Sequence, residues 1–189
     1  ILNRVTGKTP ASFEPALDYC VIKLPRWPFD KFRTADPHIG TQMKSTGEVM
    51  AIGRSVEEAL LKAVASLDID LKWLQPLDWD EIRLIEELLA PTDKRLWAIA
   101  EALRRGMAPA QVADLTKWNL FFVEKVRKIV LMEAEVRAAA ASLAPALLAR
   151  AKRTGFSNLA LAKITGTTES QVAKAVKSCG VRATFKMVD

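Results

Sequence analysis

Residues 102–128 read ALRRGMAPAQVADLTKWNLFFVEKVRK and residues 151–177 read AKRTGFSNLALAKITGTTESQVAKAVK, and these two stretches decide the fold. They are copies of one pattern, because a shift of 49 positions superimposes eight identical residues. The first-copy residues are Ala102, Arg104, Gly106, Ala113, Thr116, Val123, Lys125 and Lys128, matched by Ala151, Arg153, Gly155, Ala162, Thr165, Val172, Lys174 and Lys177. Each copy predicts a helix, a glycine turn, a short helix, a second turn and another helix. Solenoids need about three repeats to share a core, so two copies predict two helical subdomains packed on each other.

Helix caps and stops extend this pattern through the second half of the chain. Ser, Thr, Asp and Asn mark helix starts, Pro opens two helices, and Gly marks several ends. The predicted helices run from Asp78 to about Leu89, from after Thr92 to Arg105, over Val112–Leu115, from Asn119 to about Leu143, from Pro145 to Gly155, from Ser157 onward, and from Thr167 or Thr168 to before Gly180. This half is therefore predicted to be all α.

The first part of the chain predicts a small α+β piece. Tyr19–Leu24 and Glu48–Ile52 are rich in β-branched and apolar residues and are bounded by Pro or Gly, as strands are. Ser55 begins a capping-box pattern, Ser-Val-Glu-Glu, that starts a helix reaching about Leu67. The apolar stripe of this helix would pack on the two strands. Because residues 69–77 predict a linker, the fold class is mainly α with a small α+β N-terminal piece.

Composition excludes several classes of protein. The chain has 189 residues, half of them hydrophobic, which suits a globular protein that buries a core without disulfides. Cys20 and Cys179 are the only cysteines and His38 is the only histidine, so we expect reduced thiols and neither a zinc site nor a histidine-based nucleophile. No apolar run approaches the ~20 residues of a membrane span. Since the chain starts at Ile1 without a signal-peptide pattern, we expect it to be a piece of something longer.

The net charge of +6 raises nucleic acid as a partner. Residues 159–173 have the spacing of a DNA-reading helix-turn-helix, and the side chains that would face the groove are Ser170, Gln171, Lys174 and Lys177. The first copy argues against this function, because its matching helix begins with the apolar run Leu120–Val123 directly after Trp118. Helical packing or assembly is therefore favoured, and a helix-turn-helix regulator is the alternative.

An aromatic cluster in the helical half fits two interpretations. Its members are Trp97, Trp118, Phe121 and Phe122. Aromatic residues at helical spacing usually pack in a core. Trp118, Phe121 and Phe122 are also the candidates for an assembly surface, and Trp118 and Phe121 are the candidates for the binding surface of a free-standing adaptor.

Three further blocks resemble a known family. They are residues 9–19 (TPASFEPALDY), 23–27 (KLPRW) and 42–54 (QMKSTGEVMAIGR), and in this order they look like the close of the first ATP-grasp synthetase unit of the carbamoyl-phosphate synthetase large chain. Weaker similarity continues to the end of the chain, at residues 91–95, 115–116, 155–157 and 186–189. The sequence departs from the family at 118–122, where Trp-Asn-Leu-Phe-Phe replaces the usual Ile-Asp-x-Trp-Phe.

The resemblance implies that residues 1–67 are the tail of the bicarbonate-phosphorylating unit and that residues 68–189 are a helical oligomerisation domain. The family makes carbamoyl phosphate in the cytoplasm from bicarbonate, glutamine-derived ammonia and two ATP, with Mg²⁺ or Mn²⁺ and K⁺, for arginine or pyrimidine synthesis. Its nucleotide and metal motifs match no position here, so the resemblance implies a non-catalytic linking module without catalytic, cofactor or metal residues. We expect this chain to show no bicarbonate-dependent ATP hydrolysis.

The resemblance also implies the partners. They are the rest of the large chain, a glutamine amidotransferase small subunit, and a second copy bound through the helical domain. Neither a membrane nor nucleic acid is expected to bind.

Six polar residues of the first part are candidates for a passage or for a structural network. They are Glu14, Asp18, Arg26, Lys44, Ser45 and Glu48. The resemblance implies that the last three could line the passage through which the family moves ammonia and carbamate, and a buried network that fixes the turn is the alternative. Arg26 with Glu14 or Asp18 is a candidate ion pair, or a contact to another part of the unit.

Overall fold

The computed structural model describes residues 1–14, 16–32 and 34–185, and in these ranges it contains two strands followed by eight helices. The elements are β1 (Cys20–Arg26), β2 (Gly47–Gly53), α1 (Val56–Ser66), α2 (Glu81–Leu89), α3 (Arg95–Arg104), α4 (Pro109–Thr116), α5 (Leu120–Ala138), α6 (Pro145–Thr154), α7 (Asn158–Thr165) and α8 (Glu169–Ser178). The predicted fold class, mainly α with a small α+β piece, is confirmed. Pro15 and the block 186–189 of the family resemblance lie outside the described residues.

The two strands pair antiparallel, with Ile22 opposite Ala51 and Leu24 opposite Val49. These four side chains share one face of the sheet, and that face packs on α1 and the core. The prediction that the first strand stops before Pro25 is wrong, because β1 includes Pro25 and one further residue. Proline fits there since each strand of this pair has a free edge, where no ladder hydrogen bond is lost.

The first helix begins at the predicted cap. Ser55 Oγ accepts a hydrogen bond from the backbone N–H of Glu58 at 3.1 Å. The Glu58 carboxylate accepts from the backbone N–H of Arg54 at 2.8 Å, one residue before the position that a capping box uses. This bond ties the end of β2 to the first turn of α1.

The connecting segment, residues 68–80, has no helix or strand, in agreement with the predicted linker, but it is packed tightly. It buries Trp73, Leu74 and Trp79. Two side chains of α3 and that of its C-cap residue donate hydrogen bonds to the carbonyl oxygens of these same residues: Trp97 to Trp73 (2.9 Å), Arg104 to Leu74 (2.7 Å) and Arg105 to Trp79 (2.6 Å). The segment is therefore fixed to the helical half along its length.

The second helix starts two residues later than predicted. Asp80, and not Asp78, is its N-cap, and Asp80 Oδ1 accepts from the backbone N–H of Arg83 at 2.8 Å. The intervening Trp79 is buried and its carbonyl is bound by Arg105, so the chain turns into α2 only after this anchored residue.

The internal repeat predicted from the sequence is present in the structure. Helices α4 and α7 begin and end 49 residues apart, and α5 and α8 begin 49 residues apart. Thr116 and Thr165 both donate from Oγ1 to the carbonyl oxygen four residues earlier, at 2.7 and 2.8 Å. Lys117 and Gly166, at matching turns, both have positive φ. The copies α3–α4–α5 and α6–α7–α8 pack on each other mainly through α5.

The long helix of the first copy is shorter than predicted. It ends at Ala138, and not near Leu143. Pro145 opens α6 and the preceding Ala144 is extended, with ψ 141°, because an α conformation before proline is disfavoured. The chain therefore reverses between α5 and α6, and most of the alanine run 138–141 forms this turn.

One hydrophobic core runs through both parts of the chain. Leu60 and Val64 of α1, Ile99 of α3, Val126 of α5 and Leu161 of α7 all belong to one buried cluster. The proposed division between residues 67 and 68 therefore falls inside a shared core. In the described ranges, no helix has the length and apolar character needed to cross a membrane.

Candidate functional site

The four residues of the predicted aromatic cluster have different environments. Trp97 is 4% exposed and belongs to the core, and Trp118 is half-buried. Phe121 and Phe122 are 52% and 50% exposed. The core interpretation therefore holds for Trp97, whereas the two phenylalanines lie at the surface.

We define Leu120, Phe121 and Phe122, in the first turn of α5, as the aromatic patch. Asn119 caps this turn, since its Oδ1 accepts from the backbone N–H of Phe121 at 2.9 Å. The two phenylalanine rings meet edge to face, with centroids 5.2 Å apart and an interplanar angle of 83°. The Lys125 ammonium lies 5.0 Å from the centre of the Phe121 ring. These contacts hold the patch in place, so binding would cost little side-chain entropy.

The sequence contains a signal for this exposure that the prediction did not use. Positions 120–123 are four consecutive large apolar residues in a helix, and successive helical positions point about 100° apart. Such a run cannot face the core as a whole. Val123 is fully buried, and the three residues before it are about half exposed.

An open groove of about 730 Å³ separates the sheet from the helical half, and we define it as the interdomain groove. Ile22 and Leu24 of β1 line one part of it, and Trp118, Phe122 and Val126 line another. Phe122 thus belongs to both the groove and the aromatic patch. Open apolar grooves of this size accommodate apolar segments or ligands. The sequence did not predict the groove, because it exists only where β1 lies beside α3 and α5.

Two charged residues in the wall of the interdomain groove are partly shielded from water. Burial raises the pKa of Asp93 above its ordinary value and lowers the pKa of Arg95. Arg95 donates to the carbonyl oxygen of Leu89 at 2.7 Å, and its Nε has no hydrogen-bond partner among the described residues. Both charged forms are therefore disfavoured unless something else in the groove pairs with them.

Lys44, one of the predicted polar residues, anchors a loop. Its ammonium contacts the Asp36 carboxylate at 2.9 Å and the carbonyl oxygen of His38 at 2.6 Å. The hydrogen bond from Lys44, with those from His38, holds the pKa of the Asp36 carboxyl well below its usual range. Ile39, which follows His38, donates its backbone N–H to the carbonyl oxygen of Pro91 at 2.6 Å. Lys44 therefore fixes a loop that meets the helical half.

The other predicted polar residues are distributed over separate contacts. Arg26 forms a two-point ion pair with Asp30 at 2.8 and 3.0 Å, so the predicted pairing of Arg26 with Glu14 or Asp18 is wrong. Asp30 is the partner because it lies only four residues after Arg26, in the loop that follows β1. Asp18 instead forms an ion pair with Arg54, and Glu48 forms one with Lys23, each at 2.7 Å. Ser45 is half-buried and Glu14 is exposed.

These six residues do not meet in one cluster within the described ranges, and their role in a passage stays a prediction. Nor do those ranges contain a group of three His, Cys, Asp or Glu side chains that could hold a metal ion. Cys20 and Cys179 are free, and burial raises the pKa of Cys20, which lowers its reactivity as a thiolate. The prominent features of the molecule are the aromatic patch and the interdomain groove, which suit contacts with protein.

In the stretch that offered the helix-turn-helix alternative, helix α7 is followed by helix α8. The Gln171 side chain, one of the candidates for reading bases, is occupied in the capping box of α8, where it accepts from the Thr168 N–H at 2.9 Å. Ser170, Lys174 and Lys177 remain exposed.

The chain is similar to known proteins over its whole length. A family model described as "Carbamoyl-phosphate synthetase large chain, oligomerisation domain" matches residues 48–180. Proteins named carbamoyl phosphate synthase large chain are similar over 100% of this chain: that of Methanosarcina barkeri is 51% identical, that of Methanosarcina acetivorans 52% and that of Thermomicrobium roseum 48%. The chain spans 17% of the first two relatives and 18% of the third. None of these matches supports a DNA-binding regulator.

Proposed function

The chain belongs to the family described as the oligomerisation domain of the carbamoyl-phosphate synthetase large chain, and on that premise we propose that it joins two copies of such a large chain through the aromatic patch. The observation that carries this proposal is the exposure of Phe121 and Phe122 on a capped, rigid helix turn. Clusters of exposed aromatic residues are more frequent at protein interfaces than on the rest of the protein surface.

The second copy is the preferred partner for a physical reason. In a two-fold interface the same patch contributes from both sides, so each ring counts twice. Full burial of a phenylalanine side chain stabilises by about 1.5–3 kcal/mol, and these rings are half-exposed before association. Four half-exposed rings then supply roughly 4 kcal/mol, a large share of the free energy of a micromolar dimer.

The interdomain groove has a different proposed partner. The chain corresponds to a part of the large chain, so it adjoins the rest of that protein. We infer that another part of the same large chain covers the groove and pairs with Asp93 and Arg95, whose charged forms are disfavoured in the uncovered groove. Our proposed role for these residues is the positioning of neighbouring parts.

The chemistry of the whole protein is part of the same proposal. Synthesis of carbamoyl phosphate from bicarbonate, ammonia and ATP, with its metal ions and an amidotransferase small subunit, would belong to other parts of the large chain. The segment described here would be non-catalytic. The resemblance to the family supports this proposal, because none of the family's nucleotide or metal motifs matches a position of this sequence.

Sedimentation velocity over a hundredfold range of concentration, at low and high salt, tests the patch. We expect saturable, salt-insensitive dimerisation of the chain. The double variant Phe121→Ser/Phe122→Ser should weaken it by at least about a hundredfold, because the apolar area of four rings is lost.

A matched control uses exposed apolar residues elsewhere. Ile82 and Leu89 of α2 are 73% and 55% exposed, so Ile82→Ser/Leu89→Ser removes a comparable apolar surface outside the patch. This variant should dimerise like the unaltered chain. A monomer at every concentration, or equal weakening by both double variants, would reject the patch as the dimer interface.

A further inference from the structure

The positive charge of the chain is concentrated in its second helical copy. Residues 1–144 contain twenty Lys and Arg and twenty Asp and Glu, whereas residues 145–189 contain eight and two. The whole net charge of +6 therefore lies in α6, α7, α8 and the residues after them.

In the first copy, two lysines of α5 dock against the N-terminal part of the chain. Lys125 and Lys128 lie 3.5 and 3.8 Å from the carboxylate of Glu57, in the first turn of α1. Glu57 is 7% exposed, so its charge is largely removed from water and needs these partners. A carboxylate on a neighbouring helix thus sits between two lysines one turn apart.

In the second copy, Lys174 and Lys177 of α8 occupy the same two positions. Both are exposed, and neither has a carboxylate within 4 Å among the described residues. Acids of the first copy are also replaced by cations, since Arg150 and Lys163 stand where the first copy has Glu101 and Asp114. The second copy therefore repeats the lysine pair of α5 without its acidic partner.

The outer face of α8 is shaped for a polar contact. Only Val172 of this helix is buried, and the residues beside the two lysines are small: Ala173, Ala175 and Ser178 are exposed. Small side chains allow another helix to approach while the lysines reach around it. The positions that correspond to Phe121 and Phe122 are Ser170 and Gln171, so an apolar interface like the aromatic patch is absent from α8.

The geometry points to the outer face of α8 as a second docking surface, which binds an acidic helix of the remaining large chain with one carboxylate placed between Lys174 and Lys177. The proposal rests on charge complementarity and on the docking of the equivalent lysines at Glu57 in the first copy. A nucleic acid fits these residues less well, because Gln171 is used in the capping box and Glu169 places a negative charge in the first turn of α8.

Carbodiimide crosslinking of the full-length large chain, followed by mass spectrometry, tests this surface. The reagent joins an amine to a carboxylate only when the two are in direct contact. Crosslinks from Lys125 or Lys128 to Glu57 serve as the internal positive control. We expect crosslinks of comparable yield from Lys174 or Lys177 to an Asp or Glu outside residues 1–189. The conservative variant Lys174→Arg/Lys177→Arg should keep the parts docked but lose these crosslinks by at least about tenfold, since a guanidinium does not form the amide.

The other outcomes would overturn the proposal. Control crosslinks without any from Lys174 or Lys177 would show that α8 is free in the large chain. Crosslinks to residues 1–189 of a second copy would assign α8 to self-association instead. If Lys174 and Lys177 are shielded from an amine-reactive reagent only after DNA is added, the outer face of α8 would be assigned to nucleic acid. The experiment is repeated on the Phe121→Ser/Phe122→Ser variant, so that docking of α8 is scored independently of the dimer interface.

Discussion

At the scale of single residues, the least expected group is a carboxylate inside the helical core. Glu133 of α5 is 1% exposed, and it contacts Arg104 at 2.9 Å and also Arg137. Arg104 binds Glu101 in addition, and it donates to the carbonyl oxygen of Leu74. Each charge in this group is compensated by another, and the arginine joins α3, α5 and the connecting segment. Removing one partner from such a group leaves a buried charge uncompensated.

Arg104→Met should therefore lower the free energy of unfolding by about 3–5 kcal/mol, because Glu133 loses a buried partner. Urea denaturation followed by circular dichroism measures this change. The matched control is Arg127→Met, because Arg127 of α5 forms an exposed ion pair with Glu124 at 3.3 Å. Exposed pairs contribute less than about 1 kcal/mol, so the control should be nearly neutral. Equal effects of the two substitutions would mean that the Glu133 group does not stabilise the fold.

At the scale of elements, the two copies differ in what surrounds their matching glycines. Gly106 and Gly155 both end the first helix of their copy with positive φ, at 87° and 108°. A Cβ on Gly106 would meet nothing within 4 Å, whereas a Cβ on Gly155 would lie 2.9 Å from Glu58 Cα. The second copy thus uses its glycine for a close approach to α1 as well as for the turn.

Gly106→Ala should destabilise the chain by about 1–2 kcal/mol, since only the left-handed backbone conformation is strained. Gly155→Ala should cost about 1–3 kcal/mol more, because α6 must also move away from the backbone of α1. Urea denaturation of both variants measures the difference. If the two substitutions have the same effect, the close contact between α6 and α1 is absent in solution.

At the scale of the whole molecule, the connecting segment makes one body of two unlike parts. It has no regular structure, yet it buries two tryptophans and receives three hydrogen bonds from α3 and its C-cap residue. The core is continuous from α1 to α7. The two parts of the chain therefore cannot turn freely about the segment that joins them.

Differential scanning calorimetry should accordingly show one unfolding transition, with equal calorimetric and van't Hoff enthalpies. Hydrogen exchange should show slow exchange for backbone amides near Trp73 and Leu74, where burial excludes water. Trp97→Phe keeps an aromatic side chain but removes the N–H donor to Trp73 and part of the buried ring system, so exchange in the connecting segment should accelerate while α7 and α8 are unaffected. Two separate transitions would contradict a single body.

The sequence by itself determined the elements, because caps, stops and periodicity are local. The repeat at a spacing of 49, the caps Ser55, Asn119 and Ser157, and the two strands were all predictable from short stretches and are confirmed. The errors fall where a distant contact sets a local boundary. Asp78 lost the capping role because Trp79 is anchored by Arg105, and Arg26 found its partner in a loop without a recognisable pattern.

The tertiary structure alone decided the surfaces. Phe121 is exposed and Trp97 is buried although both are aromatic residues of helices, because burial depends on which helices lie alongside. The interdomain groove exists only because β1 and α5 face each other across it, and only the folded chain shows that Lys125 lies 3.5 Å from Glu57 whereas the matching Lys174 has no carboxylate partner among the described residues. Local sequence fixes the conformation of each segment, whereas contacts between residues far apart in the chain depend on how those segments pack.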